Sequence, residues 1–181
     1  MRVLAAVASR HGGTREIGSV IADAMRAGGH DVAEIDPADV VLIDPYAAVV
    51  FGAAIYNGRW LPEARELAQR TATALSHRPV RLFSSGLSSV LPSGVNFPTE
   101  TRDLSERIAA RGHKQFAGRL DRSVLSFAER TIIAAARGRD GDSRDLDAVR
   151  AWGVEIAGEL SAVLSSPEAG AGARGRHDGD T

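Results

Sequence analysis

Six residues near the start of the chain have the composition of a loop that could bind a phosphate group. They are Ser9, Arg10, His11, Gly12, Gly13 and Thr14. Glycines let the backbone turn sharply and approach a ligand closely, and the two hydroxyl groups add hydrogen-bond donors. The first turn of a following helix would add partial positive charge. The pattern favours a phosphate monoester, although an ordinary tight turn between a strand and a helix would use the same residues.

Two later stretches could complete a site for a flat ring system. They are Ala54, Ile55, Tyr56 and Asn57 after one apolar run, and Ser85, Gly86 and Leu87 after another. A flat ring needs an aromatic or apolar surface on its faces and backbone donors at its polar edge. Tyr56 could supply the ring contact, or it could be a surface aromatic that packs on the next helix. Trp60 is a second candidate for the same contact, or it packs against the start of that helix.

The elements that must position these loops are apolar strands alternating with amphipathic helices. The predicted strands are Arg2–Ala8, Asp31–Ile35, Ala47–Ala53, Pro79–Ser84 and Lys114–Leu120. The predicted helices are Arg15–Ala27, Pro62–Ser76, Thr99–Arg111 and Arg122–Arg137, and a last helix that Ser143 caps and that ends near Leu164. Such alternation predicts an α/β fold with a three-layer, doubly wound, five-stranded parallel sheet. Ligands of these sheets bind at the carboxyl ends of the strands, beside strand 1, where the three loops would converge.

Composition limits the classes of function that the chain could have. Its 181 residues suit one domain, which we expect over residues 1–164, with a disordered Gly-, Ala-, Arg- and Asp-rich tail at 165–181. A net charge of −1 gives no field for nucleic acid, and the absence of cysteine excludes a disulfide, a thiolate metal site and a thiol nucleophile. No apolar run approaches the roughly 18 residues of a membrane span. We therefore expect a cytoplasmic protein without metal, nucleic-acid partner or membrane association.

The Ser-Arg-His-Gly-Gly-Thr stretch resembles the flavodoxin phosphate loop, in which a hydroxyl residue, two variable positions, Gly, a variable position and Thr surround the phosphate of FMN. The resemblance implies the strand order 2-1-3-4-5 and FMN as the cofactor. It also implies that Tyr56 stacks on the isoalloxazine and that Ser85, Gly86 and Leu87 supply backbone donors to the pyrimidine end. The loop departs from the pattern at His11, where a hydroxyl residue is usual. Arg10 could compensate with a charged fork, or it could be an ordinary solvated side chain.

Three blocks carry a closer resemblance. The sequences SRHGGTREI, GAAIYNGRW and GDSRDLDAVRAWGVEIAGEL resemble the flavodoxin-domain proteins grouped with menaquinone-dependent protoporphyrinogen dehydrogenase, over about Met1 to Leu164. That resemblance implies redox chemistry between a small donor and a quinone. The dehydrogenases carry a long insertion before the last helix, rich in aromatic and basic residues. Here the segment is short, SVLSFAERTIIAAARGRDG, with Phe127 as its one aromatic residue.

The sequence therefore predicts an FMN-binding oxidoreductase that transfers electrons or hydride, with a redox partner or a small molecule such as a quinone. One alternative is a protoporphyrinogen- or quinone-linked dehydrogenase. The other is a domain without catalysis of its own, either an electron carrier or a flavodoxin fold that has lost its flavin. The pattern identifies no catalytic acid or base.

Overall fold

The computed structural model describes residues 1–56, 58–86, 99–135 and 141–165. The strands are β1 (Arg2–Ala8), β2 (Asp31–Ile35), β3 (Ala48–Tyr56), β4 (Arg59–Trp60), β5 (Val80–Gly86), β6 (His113–Ala117), β7 (Arg119–Leu120) and β8 (Gly141–Asp142). The helices are α1 (Gly13–Ala27), α2 (Pro62–Ser76), α3 (Thr99–Arg107), α4 (Phe127–Ala135) and α5 (Leu146–Ser165). A single 3₁₀ turn at Arg122–Val124 precedes α4.

The main sheet has five parallel strands in the order β2-β1-β3-β5-β6. Strand β4 lies outside this series and pairs with β3 in an antiparallel hairpin. When the five parallel strands are numbered along the chain, their order is the predicted 2-1-3-4-5, and that prediction is confirmed. The inner strands β1 and β3 are buried on both faces along nearly their whole length, which explains their continuous apolar sequences. A separate two-stranded sheet joins β7 to β8.

Helices cover both faces of the sheet and give the fold its three layers. One core includes Ile17, Ile21 and Met25 of α1 with Trp152 and Ile156 of α5. The other includes Ala64, Leu67 and Leu75 of α2 with Leu104 of α3 and Ile108 just beyond it. Apolar stripes on all four helices thus cover the apolar strands from two sides.

A glycine lets α1 and α5 approach closely on the first face. A Cβ atom at Gly153 would stand 2.8 Å from the Cβ of Ala24 and 3.0 Å from the carbonyl oxygen of Ile21. Only a residue without a side chain fits there, because such distances are shorter than van der Waals contact.

Two strand ends were predicted too short. The strand predicted to end at Ala53 continues to Tyr56, because Ile55 and Tyr56 pair with Trp60 and Arg59 in the β3–β4 hairpin. The strand predicted to end at Ser84 continues to Gly86, because the ladder with β6 extends through Ser85 and Gly86. Five of the predicted site residues therefore lie on strands rather than in loops. They are Ala54, Ile55, Tyr56, Ser85 and Gly86.

The helix boundaries differ from the prediction at three places. Helix α1 begins at Gly13 rather than Arg15, and α3 ends at Arg107 rather than Arg111. The start of α5 is capped by Asp145, whose carboxylate accepts the backbone N–H of Ala148 at 2.9 Å, rather than by Ser143. A carboxylate three residues before that N–H satisfies one of the free donors of a helix start.

The segment from 114 to 137 contains more breaks than its sequence suggested. The predicted strand Lys114–Leu120 is divided into β6 and β7 at Gly118, whose N–H donates to the carbonyl of Gly86 at 2.9 Å. The predicted helix Arg122–Arg137 consists of the 3₁₀ turn followed by α4, and its last two residues lie outside the described residues. The predicted loop at 90–98 and residues 166–181 of the predicted tail also lie outside them.

Candidate functional site

The loop between β1 and α1 turns at a glycine in the left-handed conformation. Gly12 has a φ of +81°, a conformation that favours glycine, and no atom lies within 4 Å of the position that a Cβ would take there. Helix α1 then starts at Gly13, and no side chain of the described residues caps its N-terminus. The first-turn N–H groups of such a helix lack intrahelical acceptors. The loop therefore offers an open surface and unsatisfied donors at the positive end of a helix.

The six loop residues differ in their accessibility. Arg10 and Gly12 are exposed, Ser9, His11 and Gly13 are half-buried, and Thr14 is buried. The loop backbone is thus partly open to solvent, whereas Thr14 is enclosed at the helix start.

The end of β3 lies against this loop. The guanidinium carbon of Arg10 is 5.6 Å from the centroid of the Tyr56 ring, within the range of a cation–π contact. The rings of His11 and Tyr56 have centroids 6.3 Å apart. The structure therefore brings the predicted phosphate loop and the predicted stacking residue together, although they are far apart in sequence. Burial raises the pKa of Tyr56, and the nearby Glu129 carboxylate adds to the effect, so the phenol is neutral at ordinary pH.

A carboxylate from α4 completes the cluster. Glu129 Oε1 lies 3.2 Å from His11 Nε2 and 3.3 Å from Arg10 Nε. Its other oxygen accepts the Ser126 N–H at 2.8 Å, and Ser126 Oγ accepts the Glu129 N–H at 3.3 Å. These two bonds form a capping box at the start of α4. The bonds from Ser126, followed by those from His11 and Arg10, lower the pKa of Glu129 to about 2. Because an ionised carboxylate can only accept, His11 carries a proton on Nε2.

A buried arginine supports the loop from the side of α5. The Arg144 side chain is only 2% exposed, and its Nη1 donates to the Gly13 carbonyl at 3.0 Å and to Glu16 at 2.7 Å. Nε and Nη2 of the same group bind both oxygens of Asp142, at 2.8 and 2.6 Å. The guanidinium group lowers the pKa of Asp142 to about 2. Arg144 thus links the β1–α1 loop, the first turn of α1 and β8.

The remaining predicted site residues lie at the ends of β3 and β5. Ala54 and Ser85 are buried neighbours in the ladder, and Ile55 stands beside Gly86, where an added Cβ would lie 3.4 Å from the Ile55 Cβ. Asn57 and Leu87 lie outside the described residues. The side chain of Ser85 is therefore enclosed. At these strand ends, Tyr56 is the described residue whose ring contacts the loop.

Trp60 packs in the core and does not face the loop. Its ring is 3% exposed and lies edge-on to Phe51, with centroids 5.1 Å apart. Its Nε1 donates to Ser84 Oγ at 2.7 Å, and that hydroxyl lies 2.8 Å from His113 Nε2. Ser84 Oγ thus bridges the Trp60 indole and the His113 imidazole. Burial lowers the pKa of His113 to about 4.

Two residues of this cluster, Glu129 and Arg144, were not predicted from sequence. The Ser126-x-x-Glu129 spacing is a capping-box signal that could have located Glu129 at a helix start, but nothing in it indicates the loop. Arg144 carries no local signal, because its partner Gly13 is 131 positions away.

The described residues contain neither a metal-ion site nor a membrane-spanning helix. There, no three acidic or histidine side chains are grouped so that they could hold a metal ion. No helix in that part of the chain is both long enough and apolar enough to span a bilayer.

Comparison with known proteins gives the family. Residues 4–147 match the flavodoxin domain model, and none of the curated proteins matches the sequence. A flavodoxin from the domain Archaea has 15% identity and a TM-score of 0.65, with coverage of 89% of this chain and 99% of that one. Oxidised flavodoxin 1 from Bacillus cereus has 17% identity and a TM-score of 0.61, with coverage of 88% and 99%.

A longer protein contains a similar domain. Rubredoxin oxygen:oxidoreductase from Desulfovibrio gigas has 15% identity and a TM-score of 0.62, with coverage of 91% of this chain but 37% of that one. Identities this low show the shared fold alone. The match to the family model, however, spans most of the sequence, and the chain therefore belongs to the flavodoxin domain family.

Proposed function

We propose that this protein binds FMN between the β1–α1 loop and the ends of β3 and β5, and that it acts in electron transfer. The observation that carries the proposal is the open, uncapped start of α1 at Gly12 and Gly13, with the Tyr56 ring beside it. A phosphate needs N–H donors and a positive helix end, and a flavin ring needs an aromatic face nearby.

The residues present fit the two ends of FMN. The backbone from Gly12 to Thr14 would hold the phosphate, while Arg10 and His11 add cationic or N–H donors at its side. Tyr56 would cover one face of the ring, and its raised pKa keeps that face uncharged. Bound flavin would supply the electron or hydride chemistry, and the chain would orient it and limit access of water. Glu129 faces Arg10 and His11, and its negative charge would oppose that of the phosphate.

The second candidate is a quinone- or protoporphyrinogen-linked dehydrogenase. One observation favours it: Phe127 is 86% exposed and Val124 is 46% exposed, on the segment that carries Glu129 to the loop. A large apolar side chain exposed beside a redox site could contact an apolar electron acceptor. Anaerobic reduction of the protein followed by a soluble quinone analogue tests this candidate. Reoxidation that is equally fast in Phe127→Ala would count against Phe127 as the contact.

The deciding experiment compares FMN with riboflavin, which lacks the phosphate. We expect the protein to quench FMN fluorescence at micromolar concentration, and Thr14→Ala to weaken FMN by roughly tenfold or more, since a hydrogen bond to a charged group is worth about 1.5–3 kcal/mol. Riboflavin affinity should change little. Thr73→Ala, an exposed position on α2, is the matched control.

Two outcomes would contradict the proposal. Absence of FMN quenching in the wild-type protein would exclude the flavin site altogether. Equal losses of FMN and riboflavin affinity in Thr14→Ala would show that the loop does not contact the phosphate.

A further inference from the structure

We propose that the cleft between α2 and α3 is a second binding site, for a small organic carboxylate with an apolar body. The cleft has a volume of about 250 Å³ and is separate from the β1–α1 loop. Its lining includes Trp60, Arg65, Ala68, Thr101, Leu104 and Arg107. The inference does not depend on flavin binding, because none of these residues belongs to the proposed flavin contacts.

Two polar atoms at this cleft have no hydrogen-bond partner among the described residues. The Thr101 side chain is only 1% exposed, and neither its Oγ1 nor the buried Nε of Arg65 makes a hydrogen bond to the part of the chain that the structure describes. Buried polar groups are almost always satisfied, and leaving one unsatisfied costs about 1–3 kcal/mol. An acceptor on a bound molecule would satisfy both the hydroxyl and the N–H. The orphaned atoms therefore point to an oxygen-rich ligand group.

The charge around the cleft favours an anion. Among the described residues, no carboxylate forms an ion pair with Arg65 or Arg107, whereas a carboxylate pairs with each of Arg10, Arg15, Arg81 and Arg144. Asp103 also lines the cleft, so two guanidinium groups and one carboxylate leave a net charge of +1 there. Guanidinium groups bind carboxylates through paired, charge-assisted hydrogen bonds. A singly charged carboxylate matches this charge.

The cleft also has an apolar lining. Trp60, Ala68 and Leu104 contribute to it, and all three residues are buried. A pocket with an apolar wall and a few convergent polar groups is the usual form of a small-molecule site. The ligand we infer therefore places an aromatic or aliphatic body against Trp60 and its carboxylate toward Arg65 and Thr101.

Benzoate is a suitable probe, with benzyl alcohol as its neutral counterpart. The chain has two tryptophans, so the indole N–H signals of Trp60 and Trp152 in a proton–nitrogen NMR spectrum report on separate places. They can be assigned with Trp152→Phe, which keeps the Trp60 signal. We expect millimolar benzoate to shift the Trp60 signal and not that of Trp152, with or without FMN. Benzyl alcohol should cause little shift.

Three variants test which side chains bind the probe. Arg65→Gln and Arg107→Gln should each weaken benzoate by about tenfold, and Thr101→Val by severalfold, since each loses a bond to a charged group. Arg102→Gln is the matched control, because Arg102 lies exposed on α3 and its substitution removes the same charge. Its benzoate affinity should equal that of the wild type. Urea unfolding of each variant checks that the fold is retained.

Several results would overturn the inference. Equal shifts with benzyl alcohol would show that the cleft binds apolar molecules without recognising the carboxylate. The absence of a Trp60 shift at saturating benzoate would exclude the site. An equal loss in Arg102→Gln would indicate a diffuse charge effect. Displacement of benzoate by FMN would move binding to the β1–α1 loop.

Discussion

The β1–α1 loop and the α2–α3 cleft both contain arginines. Among the described residues, those at the loop are paired with carboxylates and those at the cleft are not. At the loop, Arg10 and His11 face Glu129, and Arg144 binds Glu16 and Asp142. At the cleft, Arg65 and Arg107 form no ion pair within the described residues. Side-chain charge at the loop is thus neutralised inside the protein. Among the described residues, the main donors left there for a ligand are the backbone N–H groups at the start of α1 and the Thr14 hydroxyl.

This contrast separates two ways of binding an anion. A helix start offers N–H groups in fixed positions, so its recognition is geometric and depends on the backbone. Unpaired guanidinium groups offer charge, so their recognition depends on side chains and is weakened by salt. We therefore expect changes at the loop to act mainly through its shape and stability, and changes at the cleft to act mainly through charge.

The largest expected effect is at the buried arginine of the loop. Arg144→Ala would leave Glu16, Asp142 and the Gly13 carbonyl without their donor. Breaking a buried pair costs about 3–5 kcal/mol, and since both carboxylates are nearly half exposed, we expect a loss of about 2 kcal/mol in the free energy of unfolding. Urea unfolding measures it.

Arg150→Ala, at an exposed position of α5, is the control for that variant. A loss in Arg144→Ala no greater than in the control would mean that the loop holds its shape without the arginine. FMN affinity should fall together with stability if backbone shape carries recognition.

As the pH is lowered, we expect the loss of stability that His113 causes to come first and the loss that Glu129 causes to follow at lower pH. The pKa of His113, behind Trp60, is lowered from 6.5 to about 4, so the unfolded chain takes up the proton first. Stability then falls as pH falls from about 6.5 to about 4, by about 1–2 kcal/mol for a partly exposed imidazole. The pKa of Glu129 is lowered from 4.5 to about 2, so its contribution is present above 4.5 and is lost as pH falls toward 2.

Thermal unfolding across this range checks the order of the two losses. His113→Gln should flatten the dependence between pH 6.5 and 4, whereas His77→Gln at an exposed turn should not. Identical profiles for the wild type and His113→Gln would assign the loss to other groups.

Glu129→Gln should increase FMN affinity. The substitution keeps the shape of the side chain and removes the negative charge that faces Arg10 and His11. A unit charge a few ångströms away in a solvated site is worth about 1 kcal/mol, or about fivefold in the dissociation constant. Riboflavin affinity should not change, and Glu155→Gln on the exposed side of α5 should change neither. Weaker FMN binding would instead mean that Glu129 orders the loop.

Much of the sheet could be predicted from sequence, because strand periodicity and glycine-rich turns are local signals. The turn from Ser9 to Thr14 and the five strands of the main sheet follow from them, whereas the strand order came from the resemblance to flavodoxins. The ends of β3 and β5 do not, since pairing with β4 and β6 decides how far each strand extends. By residue type, Ser85 and Gly86 are typical of a turn. They belong to a strand because they pair with β6.

The contacts that distinguish the two regions are also nonlocal. Glu129 meets His11 across 118 positions of sequence, and Arg144 meets Gly13 across 131. The α2–α3 cleft depends on how two helices pack, which no stretch of either helix encodes by itself. Sequence could therefore indicate a candidate phosphate loop, but it could not show which charges beside it are already paired.

The smallest expected effect distinguishes the cleft from an ordinary core. Thr101→Val removes a hydroxyl that is buried without a partner among the described residues and keeps the shape of the side chain. In an ordinary core, polar groups are bonded and their removal destabilises. Here we expect the free energy of unfolding without ligand to rise by up to about 1 kcal/mol, while Thr73→Val at an exposed position of α2 has no such effect. At saturating benzoate we expect the wild type to be more stable than Thr101→Val, because only the wild type has the hydroxyl that donates to the bound carboxylate. A Thr101→Val protein less stable than the wild type without ligand would show that the hydroxyl is already satisfied, and the cleft would then lack its main recognition group.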